Sequence, residues 1–273
     1  NFAHGEVYMI GAYAGLVTLA AVGAQSGLPV AVLIALMLLV AVFVTGVYGF
    51  VIEQVAYKPL RNSPRLAPLI TAIGMSILLQ TLAMIIWKPN YKPYPTLLPS
   101  TPFEIGGAYI TPTQVLILGV TAVALASLVY LVNHTNLGRA MRATAENPRV
   151  ASLMGVKPDM VISATFIIGA VLAAIAGIMY ASNYGTAQHT MGFLPGLKAF
   201  TAAVFGGIGN LAGAVVGGIL LGLIEAIGSG YIGTLTGGLL GSHYTDIFAF
   251  IVLIIILTLR PSGLLGERVA DRA

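Results

Sequence analysis

Five runs of mostly apolar residues dominate this sequence, each about the length a helix needs to cross the hydrocarbon core of a bilayer, roughly 20 residues. They occupy residues 7–25, 29–52, 68–87, 113–134 and 160–181. Lipid offers no partner to a backbone N–H or C=O, so each run is driven to close its hydrogen bonds as a helix. Charged residues are only 8% of the chain, against roughly 25% in a soluble domain. That is too little charge to clothe a soluble globule of 273 residues. The bilayer is therefore the solvent, and residues 1–273 read as a single all-α, polytopic membrane domain. The net charge of +4 is spread over separate loops rather than gathered in a patch, which argues against a nucleic-acid partner. Cysteine is absent, so disulfides and thiolate metal sites are excluded.

One polar interruption, residues 137–159, stands out between two of the spans. Asn147 suits a helix N-cap, where its side-chain oxygen accepts a free N–H of the first turn. Pro148 suits the first helical position, and Gly155 suits the left-handed turn that ends a helix. Between them Val150, Leu153 and Met154 share one face at i, i+3, i+4 spacing, while Arg149 and Ser152 point elsewhere. The spacing predicts a capped helix of about two turns, outside the membrane, with one apolar face. Such an element is either a docking knob for a soluble partner or a solvated basic loop that fixes topology. Arg142 and Glu146 are four apart and are placed to pair along the helix leading into it.

After residue 181 the pattern changes. Residues 196–205 are apolar but too short to cross, 206–213 form a glycine-rich break, and 214–227 are a second apolar piece. Residues 228–243 read as another glycine-rich loop before a last span at 244–259. Ten of the thirteen Lys and Arg lie in three places: Lys58, Arg61 and Arg65; Arg139, Arg142, Arg149 and Lys157; and Arg260, Arg268 and Arg272. The positive-inside rule puts all three in the cytoplasm. Residues 135–159 and the C-terminal tail then lie on the same side. The segment between must cross an even number of times, so a broken, re-entrant helix near 196–227 is expected to enter and leave on the outer side. Irregular backbone at membrane depth is tolerated only against protein or a water-filled path, and a broken helix is a sequence pointer to a translocation pathway. Its candidate path residues are Phe200, Thr201, Gly206, Gly207, Gly209, Asn210 and Gly213. Half-helix ends there are expected to meet the charged ends of a zwitterion.

Other features read as structural. Gly11 and Gly15, Gly213 and Gly217, and Gly218 and Gly222 are small-residue pairs suited to close helix packing. Trp87 closes a span where an aromatic belt falls. After Gly207-Ile208-Gly209 the third glycine comes one residue late, at Gly213, and the Lys-Ser/Thr of a phosphate loop does not follow. Any ATP that drives the protein is then bound by another chain. His4, His134, His189 and His243 are dispersed, without metal-ligand spacing. Glu225 and Asp246 read as hydrated interfacial acids, and Lys198 as a residue snorkelling to the outer headgroups.

Several separated stretches together carry a resemblance. They are Asn1-Phe2-Ala3-His4-Gly5-Glu6, Ala72-Ile73-Gly74-Met75-Ser76, Gly138-Arg139-Ala140-Met141-Arg142-Ala143, residues 146–155 and 200–218, and Arg260-Pro261-Ser262-Gly263-Leu264-Leu265-Gly266. In that order they resemble the LivH-type permease of branched-chain amino-acid ABC importers, over nearly the whole chain. The resemblance implies a prokaryotic inner-membrane permease subunit rather than an enzyme, with no cofactor of its own. Its implied partners are a second permease subunit, two cytoplasmic ATPase subunits, an extracytoplasmic substrate-binding protein, membrane lipid and an amino-acid cargo. It also implies that Arg139, Arg142, Glu146, Asn147, Arg149 and Gly155, within the loop 137–159, couple to the ATPase. Family permeases carry one more apolar helix ahead of the Asn-Phe-Ala-His-Gly-Glu stretch. Urea or a short amide stays open as cargo, as does an ATP-independent channel or secondary carrier.

Overall fold

The computed structural model describes the chain except residues 1, 24–26, 62, 65, 99–100, 208, 238–243, 261 and 267–273. Arg65, Arg268, Arg272, His243, Ile208, Pro261 and Asn1 therefore lie outside the described residues. The chain forms two compact units, residues 1–193 and 194–273.

In the first unit, α1 (His4–Thr18) runs on into a wider π-type turn at Leu19–Gly23. α2 (Val30–Ile52) likewise continues through a π-type turn and a 3-10 turn, Lys58–Leu60. α3 is Leu66–Trp87 and α4 is Pro112–His134. α5 (Asn136–Glu146) and α6 (Pro148–Leu153) make the polar interruption, and α7 is Pro158–Tyr184. α1 is the centre of this unit: Met9 and Tyr13 on it are wholly buried, with Met37 and Ala41 of α2 and Ala174 and Ile178 of α7 in the same core. Its glycines allow that approach. A Cβ on Gly11 would lie 2.6 Å from the Ala174 Cα, and one on Gly15 would lie 2.6 Å from the Tyr94 hydroxyl. From α7, Gly177 faces the Tyr8 carbonyl with no room for a side chain. Tyr13 stacks on Trp87, ring centroids 4.5 Å apart.

The connector after α3 is rich in proline and carries two short strand pairings. β1 (Lys92–Pro93) pairs with β4 (Thr186–Ala187), and β2 (Phe103–Ile105) pairs with β3 (Ala108–Ile110). Gly106 and Gly107, both at positive φ, close the second pair, as a two-residue hairpin turn requires. Thr111 then caps α4 reciprocally: it accepts from the Gln114 N–H and donates its own N–H to Gln114 Oε1 at 2.9 Å.

The second unit holds α8 (Phe193–Gly206), α9 (Leu211–Leu235) and α10 (Thr245–Leu259). α8 and α9 form an antiparallel hairpin about Gly207 and Gly209, both at positive φ. Close to the turn Gly206 and Gly213 meet backbone to backbone, and further along Gly217 meets the Ala202 carbonyl. The expected break is there, but its second arm is longer than expected. At 25 residues, α9 reaches roughly 37 Å at the α-helical rise, and it absorbs much of the expected loop 228–243. Glycine costs a helix only about 1 kcal/mol relative to alanine, less than leaving backbone groups unpaired in lipid. Among the described residues six helices are long and apolar enough to cross a membrane, four of them being α3, α4, α7 and the Leu211–Tyr231 part of α9. α1 with its π turn and α2 with its extension are the other two.

Candidate functional site

The polar interruption folds as its local signals require. Asn147 Oδ1 accepts from the N–H groups of Arg149 and Val150, each at 3.1 Å. Pro148 opens α6, and Gly155 stands at φ +85°. The helix closes with the Gly155 N–H donating to the Ser152 carbonyl and the Val156 N–H to that of Ala151, both at 3.1 Å. Leu153 and Met154 are left 85% and 80% exposed beside exposed Val150. So exposed an apolar tip packs against little among the described residues.

α5 is set just as firmly. Thr135 accepts from the Gly138 N–H at 3.0 Å and donates to the Leu131 carbonyl, joining the end of α4 to the start of α5. Arg139 donates to Asn136 Oδ1. Arg142 does not pair with Glu146 as its spacing suggested. It donates instead to the Val132 carbonyl, one of the carbonyls left free at the end of a helix. Glu146 and Arg149 are exposed.

A clamp ties this loop to α2. Arg61 bridges Asp159, in the first turn of α7, and Glu53, which is wholly buried. Ser163 of α7 donates to Glu53 Oε2 at 2.7 Å, and Gln54 donates to Glu53 Oε2 at 2.8 Å and to the Ser163 hydroxyl at 3.1 Å. The sequence reading missed this cluster. Asp159 and Ser163 lie about a hundred residues beyond Glu53, Gln54 and Arg61, so no local spacing signals the whole set.

In the second unit Lys198, read from sequence as a lone interfacial lysine, makes ion pairs within the chain. Its Nζ lies 2.8 Å from Asp246 Oδ1 and 3.1 Å from the Glu225 carboxylate, joining α8, α9 and α10. Glu225 and Asp246 are thus partners of one half-buried lysine. Of the candidate path residues, Phe200 is exposed and Thr201 is buried. Gly206, Gly207 and Gly213 are buried in backbone contacts, and Gly209 is exposed. Asn210 caps the start of α9 through the Gly213 N–H at 3.0 Å and donates to the Leu265 carbonyl at 2.8 Å. The carbonyls of Phe205 and Gly206 accept from the N–H groups of Leu264 and Leu265, both at 2.9 Å. The helix ends that the sequence offered to a zwitterion are occupied by the chain's own tail.

The histidines stay apart: the His4 ring lies against Gly169, and His134 stacks on Tyr130. Among the described residues no three His, Asp or Glu side chains are grouped to hold a metal ion. Tyr94, between α3 and α4, is buried, which pushes its hydroxyl above the ordinary tyrosine range.

The long apolar helices define a polytopic α-helical membrane protein. A family model described as the permease component of the branched-chain amino acid transport system matches residues 1–257, and the chain belongs to that family. It is 43% identical to the high-affinity branched-chain amino acid transport system permease protein BraD of Pseudomonas aeruginosa, over 98% of this chain and 86% of the relative. It is 42% identical to the permease protein LivH of Escherichia coli K12, over 98% and 85% of the two chains. A probable LivH of Methanocaldococcus jannaschii is 28% identical over 97% and 82%. No solved structure matches the chain. As a permease component the protein is a multi-pass transport subunit of an ABC system, not an enzyme.

Proposed function

We propose that this chain forms the membrane pathway of an importer that carries branched-chain or other small amino acids into the cytoplasm. A second permease subunit completes the pathway, two cytoplasmic ATPase subunits drive it, and an extracytoplasmic binding protein delivers the cargo. The observation that carries this reading is the knuckle α5–α6: a capped helix with an exposed apolar tip, set before the Arg61 clamp that joins the ends of two spans. Arg139, Arg142, Glu146, Asn147, Arg149 and Gly155 hold and charge the surface on which an ATPase sits. A push on α6 reaches α7 through the short link 154–157 and reaches α2 through Asp159, Arg61 and Glu53. A rigid-body switch of access needs this stiffness, because a floppy link dissipates the displacement. The hairpin of α8 and α9, with Phe200 on its exposed face and the break at Gly207 and Gly209, forms part of the path wall.

The test is ATP-dependent leucine uptake by vesicles holding the reconstituted complex. Glu146→Lys reverses a charge on the docking surface, and Gly155→Pro denies α6 its left-handed end. Each variant is expected to insert and to lose uptake. Normal uptake with both would refute the coupling role.

A further inference from the structure

Glu6 is the one wholly buried carboxylate among the described residues that no cation accompanies. It is 0% exposed. Gln80 Nε2 donates to its Oε1 at 2.8 Å and the Ser76 hydroxyl donates to the same oxygen at 3.0 Å. Its other oxygen, Oε2, has no hydrogen-bond partner and faces Gly192, where an added Cβ would lie 2.9 Å away. Glu53, the other wholly buried acid, differs in kind: Arg61 neutralises it and Ser163 and Gln54 satisfy it. Burying a charge without a partner costs far more than any single hydrogen bond returns. A neutral side chain would join α1 to α3 without that cost, so helix packing alone does not account for an acid here.

Ser76 is the eleventh of the 22 residues of α3, a helix long and apolar enough to span, and Glu6 reaches it from the first turn of α1. An ionisable group buried within a membrane domain marks a substrate or ion route by default. Glu6 is also not alone. The hydroxyls of Tyr8 and Tyr13 on α1 are buried without hydrogen-bond partners, as is that of Tyr94, which lies against Gly15 of α1. Unsatisfied buried polar groups are few in natural proteins and each calls for a reason. Of the seven such atoms among the described residues, four lie on or against α1. The two stretches that supply Glu6 and Ser76 are 70 residues apart in the chain, and the fold closes them on each other.

We propose that the Glu6 carboxylate, held by Ser76 and Gln80, receives the ammonium group of the imported amino acid on its way across the membrane. An amino acid crosses with both ends charged, and in a low-dielectric path its ammonium needs an anionic acceptor with a free lone pair. Glu6 Oε2 supplies one. The proposal rests on the reading of the chain as an amino-acid import permease, and that reading is tested first: a wild-type complex that imports no leucine with ATP would refute it before any variant is compared.

The variants are Glu6→Gln, which keeps the size and removes the charge, and Glu6→Asp, which keeps the charge and shortens the reach. With the wild-type complex active, Glu6→Gln is expected to assemble, to melt as the wild type does and to hydrolyse ATP. Its leucine uptake is expected to fall about tenfold or more, the loss of one charge-assisted contact. Glu6→Asp is expected to retain more uptake than Glu6→Gln. Uptake by Glu6→Gln within about twofold of wild type would overturn the proposal. So would failure of Glu6→Gln to assemble, or an aspartate variant no better than the glutamine one, because either result assigns Glu6 to the fold alone.

Discussion

Gly217 and Gly218 are adjacent in α9 and meet different surroundings. A Cβ on Gly217 would collide with the Ala202 carbonyl of α8 and lie 2.9 Å from the Gly206 nitrogen, whereas one on Gly218 would meet nothing within 4 Å. Both belonged to small-residue pairs that sequence spacing alone could not tell apart. Gly217→Ala is expected to destabilise by about 1–3 kcal/mol, the usual cost of overpacking, and to lower the thermal midpoint in detergent. Gly218→Ala is expected to leave that midpoint unchanged or raise it, since alanine is the better helix former. Arg61 poses a harsher case. Its loss strands the Glu53 carboxylate, which is wholly buried. Arg61→Ala should therefore cost about 3–5 kcal/mol, as breaking a buried pair from one side does. Adding Glu53→Gln removes the stranded charge, so the double variant is expected to melt above Arg61→Ala alone. A double variant no more stable than the single one would show that the clamp acts through shape rather than charge.

At the scale of elements, α6 depends on its cap more than on its own length, because six residues are too few to hold a helix in water unaided. Asn147→Ala removes the acceptor for two N–H groups and is expected to cost about 1 kcal/mol. Amide exchange at Arg149 and Val150 should quicken while that in α7 stays slow. Equal protection in variant and wild type would mean that α6 is held by something other than its cap. This element was legible in the sequence because Asn147, Pro148 and Gly155 act on their own neighbours. The spans were legible for the same reason, since a run of apolar residues needs no distant partner to become a helix in lipid. The β2–β3 hairpin left a local signal too, Gly106-Gly107 between short extended runs, hidden by the surrounding prolines. The Arg61 clamp, the Lys198 triad and the Glu6 cluster left none. Each joins residues that only the fold brings together, and single charges in a greasy chain look alike until their partners are known. The extent of α9 was misread for a different reason: glycines that break a helix in water are tolerated in one whose backbone has no alternative partner.

For the whole molecule, the decisive question is which face of the membrane carries the knuckle. Only α4 lies between the β2–β3 hairpin and α5, so the hairpin and α6 must fall on opposite faces if α4 crosses. At 23 residues α4 reaches roughly 34 Å at the helical rise, which suffices for the hydrocarbon core. Arg139, Arg142, Arg149 and Lys157 cluster beyond its end, and by the positive-inside rule the proposed mechanism expects α6 in the cytoplasm, within reach of an ATPase. The chain contains no cysteine, so a single introduced thiol reports without background. Tyr109 and Leu153 are 68% and 85% exposed, and a thiol at either is open to reagent. Tyr109→Cys is expected to react with a membrane-impermeant maleimide in intact cells, and Leu153→Cys only after the membrane is opened. Labelling of both from outside would mean that α4 does not cross and that no cytoplasmic motor touches α6. Labelling of Leu153→Cys alone from outside would keep the crossing and invert the protein, and the import mechanism would fall with it.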